Sequence, residues 1–139
     1  MARRRTETHG RSRALQALYA WDMRGERDLE RVAERVFDEL AVAPDERRIA
    51  AALIHVFAGR RAELDRELKA VTENWRMERL GAIERSVLRL AAAELAIAET
   101  PPRVVLQESI RLAERYGSAQ SARFVNGVLD ALARRMGRL

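Results

Sequence analysis

Apolar side chains recur at helical spacing in every long segment of this chain, most clearly in residues 121–136. At about 100° per residue, Val125, Leu129, Leu132 and Met136 fall on one narrow stripe of a helical wheel. Such a stripe must be buried against other helices. Phe124 lies roughly 100° from the stripe's centre, at the border with solvent, so it is either a lid on the core or an exposed stacking surface.

Five further helices are predicted by the same periodicity together with capping residues. They cover residues 11–25, 28–40, 44–70, 80–99 and 102–117. Asp28 suits an N-cap, and Pro44 and Pro102 suit first-turn positions, where no internal hydrogen bond is lost. Trp75 is expected at the joint between the two halves of the chain, and Gly127 at a close helix crossing. Low aromatic content, 5%, also favours an all-α fold.

The composition excludes several kinds of site. The chain has 139 residues, which predicts one domain, and no cysteine, which removes disulfides, thiolate nucleophiles and cysteine-bound zinc. No apolar run approaches the roughly 20 residues of a membrane span, and the N-terminus lacks the apolar core of a signal peptide. We therefore expect a soluble, cytoplasmic protein with no membrane contact.

Positive charge is concentrated at the N-terminus. Residues 1–13 contain five arginines against Glu7, and so supply most of the net charge of +5. Residues 1–10 have no apolar periodicity and are predicted to form a mobile basic arm, with Arg11 and Arg13 on the first turn of the helix that follows. A solubilising tail is one interpretation. A nucleic-acid contact is favoured, because clustered guanidinium groups can follow a phosphate backbone and stack on bases.

Reaction chemistry has little support in the sequence. There is no glycine-rich phosphate loop and no paired zinc spacing, and both His9 and His55 are isolated. We expect no catalytic residue, no metal site and no cofactor, hence a binding protein rather than an enzyme. Glu94 lies beside the inward stripe of its helix, where a carboxylate is either hydrogen-bonded at a helix crossing or peripheral.

Four segments taken in order resemble the NusB family of bacterial transcription antitermination factors. They are RALQALYAW at 13–21, ERSVLRLA at 84–91 with Glu94 and Leu95, the 102–117 segment that carries Pro102, Glu108 and Tyr116-Gly117, and FVNGVLD at 124–130. Each segment alone is weak, but their order and spacing together are specific.

The resemblance implies about seven helices in two packed three-helix bundles, with the whole chain as one RNA-binding domain. It also implies binding of the single-stranded boxA element of RNA together with NusE, a small-subunit ribosomal protein. Through that complex the family contacts RNA polymerase and other Nus factors and favours read-through of ribosomal RNA operons. Whether the unbound protein forms a homodimer is left open.

Site residues are also implied by position. The RNA surface would comprise Arg3, Arg4, Arg5, Arg11, Arg13, Gln16, Tyr19 and Phe124. The exposed aromatic rings among them would stack on unpaired bases. The NusE-facing side would include Glu78 and Glu84, which suit a basic partner. His9, Gly10 and Ser12 interrupt a basic run that is usually denser in the family.

Three alternatives compete with this interpretation. The main one is a stand-alone RNA-binding domain like that of ribosomal RNA cytosine methyltransferases, although no methyltransferase region follows in this chain. A helix-turn-helix DNA regulator would place its arginines on a recognition helix rather than on an arm. A homodimeric structural bundle would need no nucleic acid.

Overall fold

The computed structural model describes residues 2–25, 27–72 and 80–139, which contain seven helices and no β-strand. The helices are α1 (Ala2–Arg24), α2 (Leu29–Glu39), α3 (Pro44–Gly59), α4 (Arg61–Val71), α5 (Ala82–Ile97), α6 (Pro102–Tyr116) and α7 (Ala119–Arg135). One three-helix bundle is α1–α3, the other is α5–α7, and α4 packs on α5 and α7. The predicted all-α fold of two packed bundles is confirmed.

The predicted helix ends form for the predicted reasons. The Asp28 side chain accepts the backbone N–H of Arg31 at 3.2 Å, and Ser118 caps α7 in the same way. Pro44 and Pro102 are the first residues of α3 and α6, where the absence of a backbone N–H group costs no hydrogen bond within the helix.

Helix α5 lies at the centre of the molecule. It packs against α1 and α3 of the first bundle and against α6 and α7 of its own. Every residue from 86 to 95 is consequently buried, including the alanines at 91–93 that allow close approach of neighbouring helices. The periodicity of this segment predicted one inward stripe, whereas the structure covers the helix on all sides.

The N-terminal segment differs from its prediction. Helix α1 begins at Ala2, so residues 2–10 continue the first helix instead of forming a separate arm before it. Apolar periodicity did not predict this helical start, and contacts with other helices explain why it forms. Thr8 donates a hydrogen bond to Glu108 of α6 at 2.6 Å, and Gly10 is buried against Ile49 of α3.

Two further details also differ from their predictions. The single helix predicted over 44–70 is divided at Arg60 into α3 and α4. The close crossing predicted at Gly127 is wrong, since a Cβ built there would meet no atom within 4 Å. Trp75 lies outside the described residues. Within the described ranges, no helix combines the length and apolarity needed to cross a bilayer.

Two glycines in helices offer a matched test of this packing. A Cβ at Gly10 would lie 2.7 Å from Cγ2 of Ile49 and 3.3 Å from the backbone oxygen of Glu46, so Gly10→Ala should force α1 away from α3. We expect it to lower the free energy of unfolding by about 1 kcal/mol or more. Gly127→Ala should instead raise it by about 0.5–1 kcal/mol, because alanine favours an open helical position. Urea unfolding measures both, and a stabilising Gly10→Ala would contradict the packing described here.

Candidate nucleic-acid interface

Five of the predicted RNA-binding residues are at least partly accessible along α1. Arg3, Arg4 and Arg5 are exposed at the start of the helix, and Gln16 is half-buried further along. Tyr19 is 38% exposed. At 1.5 Å per residue, the surface from Arg3 to Tyr19 extends over about 24 Å. An elongated polyanion could therefore contact several of these side chains at once.

Arg13 adopts a position between that surface and α3. Its Nη1 donates to Oε1 of Gln16 at 3.0 Å, and its Nε lies 3.9 Å from Oε1 of Glu46. The side chain is one-third exposed. Arg13 thus orients Gln16 while part of its guanidinium remains accessible.

Arg11 does not belong to the surface on which it was predicted. It is 5% exposed, and its Nε and Nη2 donate to the two carboxylate oxygens of Glu94 at 2.9 and 2.6 Å. Its Nη1 donates to Glu108 at 3.1 Å, and Thr8 donates to the same carboxylate. We call Thr8, Arg11, Glu94 and Glu108 the N-terminal ion-pair cluster. The prediction that Arg11 contacts RNA is wrong, because its guanidinium is buried among carboxylates.

The protonation of Arg11 follows from these partners. Burial alone would lower its pKa, but the hydrogen bond to Glu94 and the negative charges of Glu94, Glu108 and Glu7 outweigh burial and raise the pKa above its usual value. Arg11 therefore stays charged. The bidentate geometry satisfies both carboxylate oxygens of Glu94, as a buried charge requires. Of the two readings of Glu94, the hydrogen-bonded helix crossing is confirmed.

A second group of charges connects the other end of α1 to α5 and α4. Arg85 donates to both oxygens of Asp22, at 2.9 and 2.6 Å. Arg89 donates to Asp22 at 3.1 Å and to Asp65 of α4 at 3.1 and 3.2 Å. These four residues form the C-terminal ion-pair cluster. The guanidinium of Arg89 also lies 5.3 Å from the ring of Trp21, where cation–π attraction adds to the packing.

The first turn of α5 connects α1 with α7. Arg85 binds Asp22, which is three residues beyond Tyr19 in α1. The neighbouring Glu84 accepts a hydrogen bond from Oγ of Ser121 at 2.6 Å, and Ser121 is three residues before Phe124 in α7. Tyr19 and Phe124, which are far apart in sequence, therefore each lie three residues from a side chain that this turn holds.

Phe124 and Glu84 share a surface cleft of about 290 Å³. The lining residues are Leu80, Gly81, Glu84, Ser118, Gln120, Ser121 and Phe124. Phe124 is half-buried and packs against the apolar core while also lining the cleft. The two readings of this ring from sequence, core lid and surface aromatic, therefore describe different parts of the same side chain.

Glu84 is accessible from the cleft but already holds Ser121, so it has a structural role whatever else it contacts. Glu78, the other residue expected to face NusE, lies outside the described residues.

Sequence reasoning did not identify the two ion-pair clusters. The one indication of these clusters in the sequence was Glu94, a carboxylate beside an apolar stripe that is predicted to be buried. Nothing in the sequence singles out Arg85, whose side chain is only 15% exposed because Asp22 lies across from it. Met23, one turn after Tyr19, is 61% exposed and extends the accessible side of α1 with an apolar side chain that the prediction omitted.

The fold and the accessible residues of α1 and α7 define an all-helical protein whose surface combines arginines with aromatic rings, as suits a protein that binds a polyanion. The NusB family model matches residues 8–134, and the chain belongs to the NusB family. It is 40% identical to the transcription antitermination protein NusB of Anaeromyxobacter dehalogenans, with 91% of this chain and 89% of that protein covered. It is also 40% identical to the NusB of Sorangium cellulosum, with 94% and 93% covered.

Solved structures show the same relationship. T. maritima NusB superposes with a TM-score of 0.84 at 32% identity, covering 92% of this chain and 90% of that one. A chain from the crystal structure of antitermination factors NusB and NusE in complex with double-stranded RNA superposes with a TM-score of 0.85 at 29% identity, covering 94% and 98%.

The pH dependence of stability tests the C-terminal ion-pair cluster. Burial would raise the pKa of Asp22, but the hydrogen bonds and charges of Arg85 and Arg89 outweigh burial and lower it below its usual 3.8. Because the folded-state pKa lies below the unfolded-state pKa, the stabilisation is complete above the unfolded value and is lost as the pH falls through the folded value.

Asp22→Asn should therefore be less stable than the parent by about 1–3 kcal/mol at neutral pH, and the difference should shrink as the pH falls below about 4. Asp45→Asn is the control, since this carboxylate is 75% exposed and its pair with Arg48 lies at the surface. It should change stability by about 0.5 kcal/mol or less. Denaturant unfolding between pH 7 and pH 2 measures both variants, and an Asp22→Asn difference that stays constant with pH would refute the assignment.

Proposed function

We propose that this chain is a transcription antitermination factor that binds boxA RNA together with NusE and promotes read-through of ribosomal RNA operons. The observation that carries the proposal is its similarity, over about nine-tenths of both chains, to transcription antitermination proteins. In this role it acts in the cytoplasm, where it joins RNA polymerase and other Nus factors indirectly through the RNA and NusE.

The proposed RNA-binding residues would make different contacts with phosphates and bases, according to the chemistry of their side chains. Arg3, Arg4 and Arg5 are exposed and would contact phosphates, which supplies affinity without sequence preference. Gln16 has an amide that can read base edges, and Arg13 holds it in place. Arg11 is left out of this assignment because it is buried.

The aromatic residues favour an unpaired RNA strand. Tyr19 and Phe124 each present part of a ring at the surface, and a ring can stack only on a base that is free of the helical stack. One solved relative, the complex of NusB and NusE, contains double-stranded RNA.

The NusE-binding side would lie at the start of α5. Glu84 is accessible there, and Glu78 precedes it by six residues in sequence. Carboxylates suit a basic ribosomal protein, because complementary charge speeds association and fixes orientation. With NusE near α5 and the RNA along α1, the two partners could touch each other. Such contact would make the binding of NusE and of RNA to this chain cooperative.

The alternative, an RNA-binding domain of the methyltransferase type, is less favoured. The relatives that match most of this chain are transcription antitermination proteins, and this chain also covers most of their length. The same surface on α1 would serve either role in binding RNA, so partner dependence is the property that separates them.

A titration tests the proposal directly. Labelled boxA RNA should bind weakly to this protein alone and more tightly when NusE is present. For about three phosphate contacts, the logarithm of affinity should fall with the logarithm of salt concentration with a slope of about −2. The proposal would be refuted by an affinity that does not change with salt concentration, or by equal affinities for boxA RNA and for duplex DNA of the same length. Scrambled RNA of equal length is the control.

Phe124 allows stacking to be separated from packing. Phe124→Leu keeps an apolar side chain against the core but removes the ring, and should weaken boxA binding by roughly 5- to 100-fold, as expected for the loss of one stacked base. Phe124→Tyr keeps the ring and should retain most of the affinity. Anisotropy titrations and melting temperatures are measured on both. Equal RNA affinity for both variants would show that the ring packs without contacting RNA.

A further inference from the structure

The solvent-facing side of α6 carries three arginines that the proposed boxA site does not use. Its exposed residues are Arg103, Val104, Gln107, Arg111, Glu114 and Arg115. Arg111 is 57% exposed and lies 3.8 Å from Glu108, a distance too long for a strong ion pair. The guanidinium of Arg115 lies 5.6 Å from the ring of Tyr116. This side of α6 is thus positively charged and has an aromatic ring beside it.

Two of these arginines lie next to the N-terminal half of α1. Glu108 is the residue of α6 that contacts α1, through Thr8 at 2.6 Å and Arg11 at 3.1 Å. Residues at i+3 and i+7 lie on the same side of a helix, so Arg111 and Arg115 flank this contact.

On α1 the same spacing applies to Arg4. It precedes Thr8 by four residues and Arg11 by seven, and it is exposed. We call Arg4, Arg111 and Arg115 the α1–α6 basic surface. All three lie within about two helical turns, roughly 11 Å along a helix axis, of the hydrogen bond between Thr8 and Glu108.

The charge of this surface is not balanced locally. Glu108 is the nearest carboxylate on α6, and it is engaged by Thr8 and by the buried Arg11. Glu114 lies three residues beyond Arg111 on the exposed side of α6 and offsets one of its three exposed arginines. The exposed residues of α6 therefore keep a net charge of +2, which an anion from outside the chain could complement.

We propose that the α1–α6 basic surface holds the phosphate backbone of RNA that flanks boxA, as a second contact region continuous with the one on α1. The inference rests on the proposed function. Continuity supports it, because Arg4 and the boxA-facing residues share one helix. Charge complementarity selects RNA over NusE, since a basic ribosomal protein would be repelled here.

The experiment compares a minimal boxA RNA with the same RNA extended by about ten nucleotides on the 5′ side, on the 3′ side, or on both, a length within the range that one single-strand site covers. All are titrated against the full chain with NusE present. For the parent protein, one extended RNA should bind about tenfold more tightly than the minimal RNA and show a steeper salt slope.

Arg111→Ala with Arg115→Ala should remove most of that gain, reduce the magnitude of the salt slope for extended RNA by about 1.4, and leave the minimal RNA unaffected. Arg31→Ala with Arg66→Ala takes the same charge from exposed positions on α2 and α4, and should leave the gain intact. Equal melting temperatures confirm that the variants are folded.

The possible outcomes separate the two proposals. If minimal boxA RNA binds but no extension improves affinity, or if both double variants lose affinity equally, the α1–α6 surface does not bind RNA and the proposed function stands. If duplex DNA competes as well as extended RNA, the surface is a general polyanion contact and the inference is wrong. If minimal boxA RNA does not bind with NusE present, the proposed function itself fails.

Discussion

The contact between α1 and α5 holds the two bundles together, and it is charged at both ends. Arg11 meets Glu94 and Glu108 near the start of α1, while Asp22 meets Arg85 and Arg89 near its end. Removing one member of the buried pair of Arg11 and Glu94 leaves an uncompensated charge and costs about 3–5 kcal/mol, and removing the less buried Asp22 costs about 1–3 kcal/mol. Because each cluster requires particular partners, α1 can dock on α5 in only one register. The apolar residues between the two clusters are then aligned with their partners on α5 in a single way.

This docking decides which side of α1 faces outward. Arg11 and Asp22 turn inward, and Tyr19 and Gln16 remain accessible on the other side. The first turn of α5 then extends the surface to α7, where Phe124 lines its cleft. The proposed RNA surface is therefore assembled from both bundles and exists only when they are packed together. A protein with the same helices but a loosened α1–α5 contact would keep its arginines and lose their arrangement.

Much of the fold could be predicted because it depends on local signals. Apolar periodicity located α2, α6 and α7, and the cap at Asp28 followed from the preference of aspartate for the free N–H groups at a helix start. Contacts between distant segments could not be predicted. The helical start of α1 depends on Glu108, a hundred residues away from Thr8, and Arg11 looks in sequence like its exposed neighbours. Gly10 and Gly127 both lie within helices, yet only Gly10 meets another helix. The sequence therefore pointed to α1 and α7 as the place of a candidate site, whereas the burial of Arg11 could not be predicted.

The central claim is that RNA crosses one surface built from both bundles. Photocrosslinking tests it most directly, with 4-thiouridine placed in turn at each uridine of boxA RNA in the complex with NusE, followed by mapping of the crosslinked peptides. A single RNA should crosslink to peptides containing Tyr19 and to peptides containing Phe124, with no crosslinks to α2 or α4. Crosslinks confined to one bundle, or concentrated on α2 and α4, would contradict it.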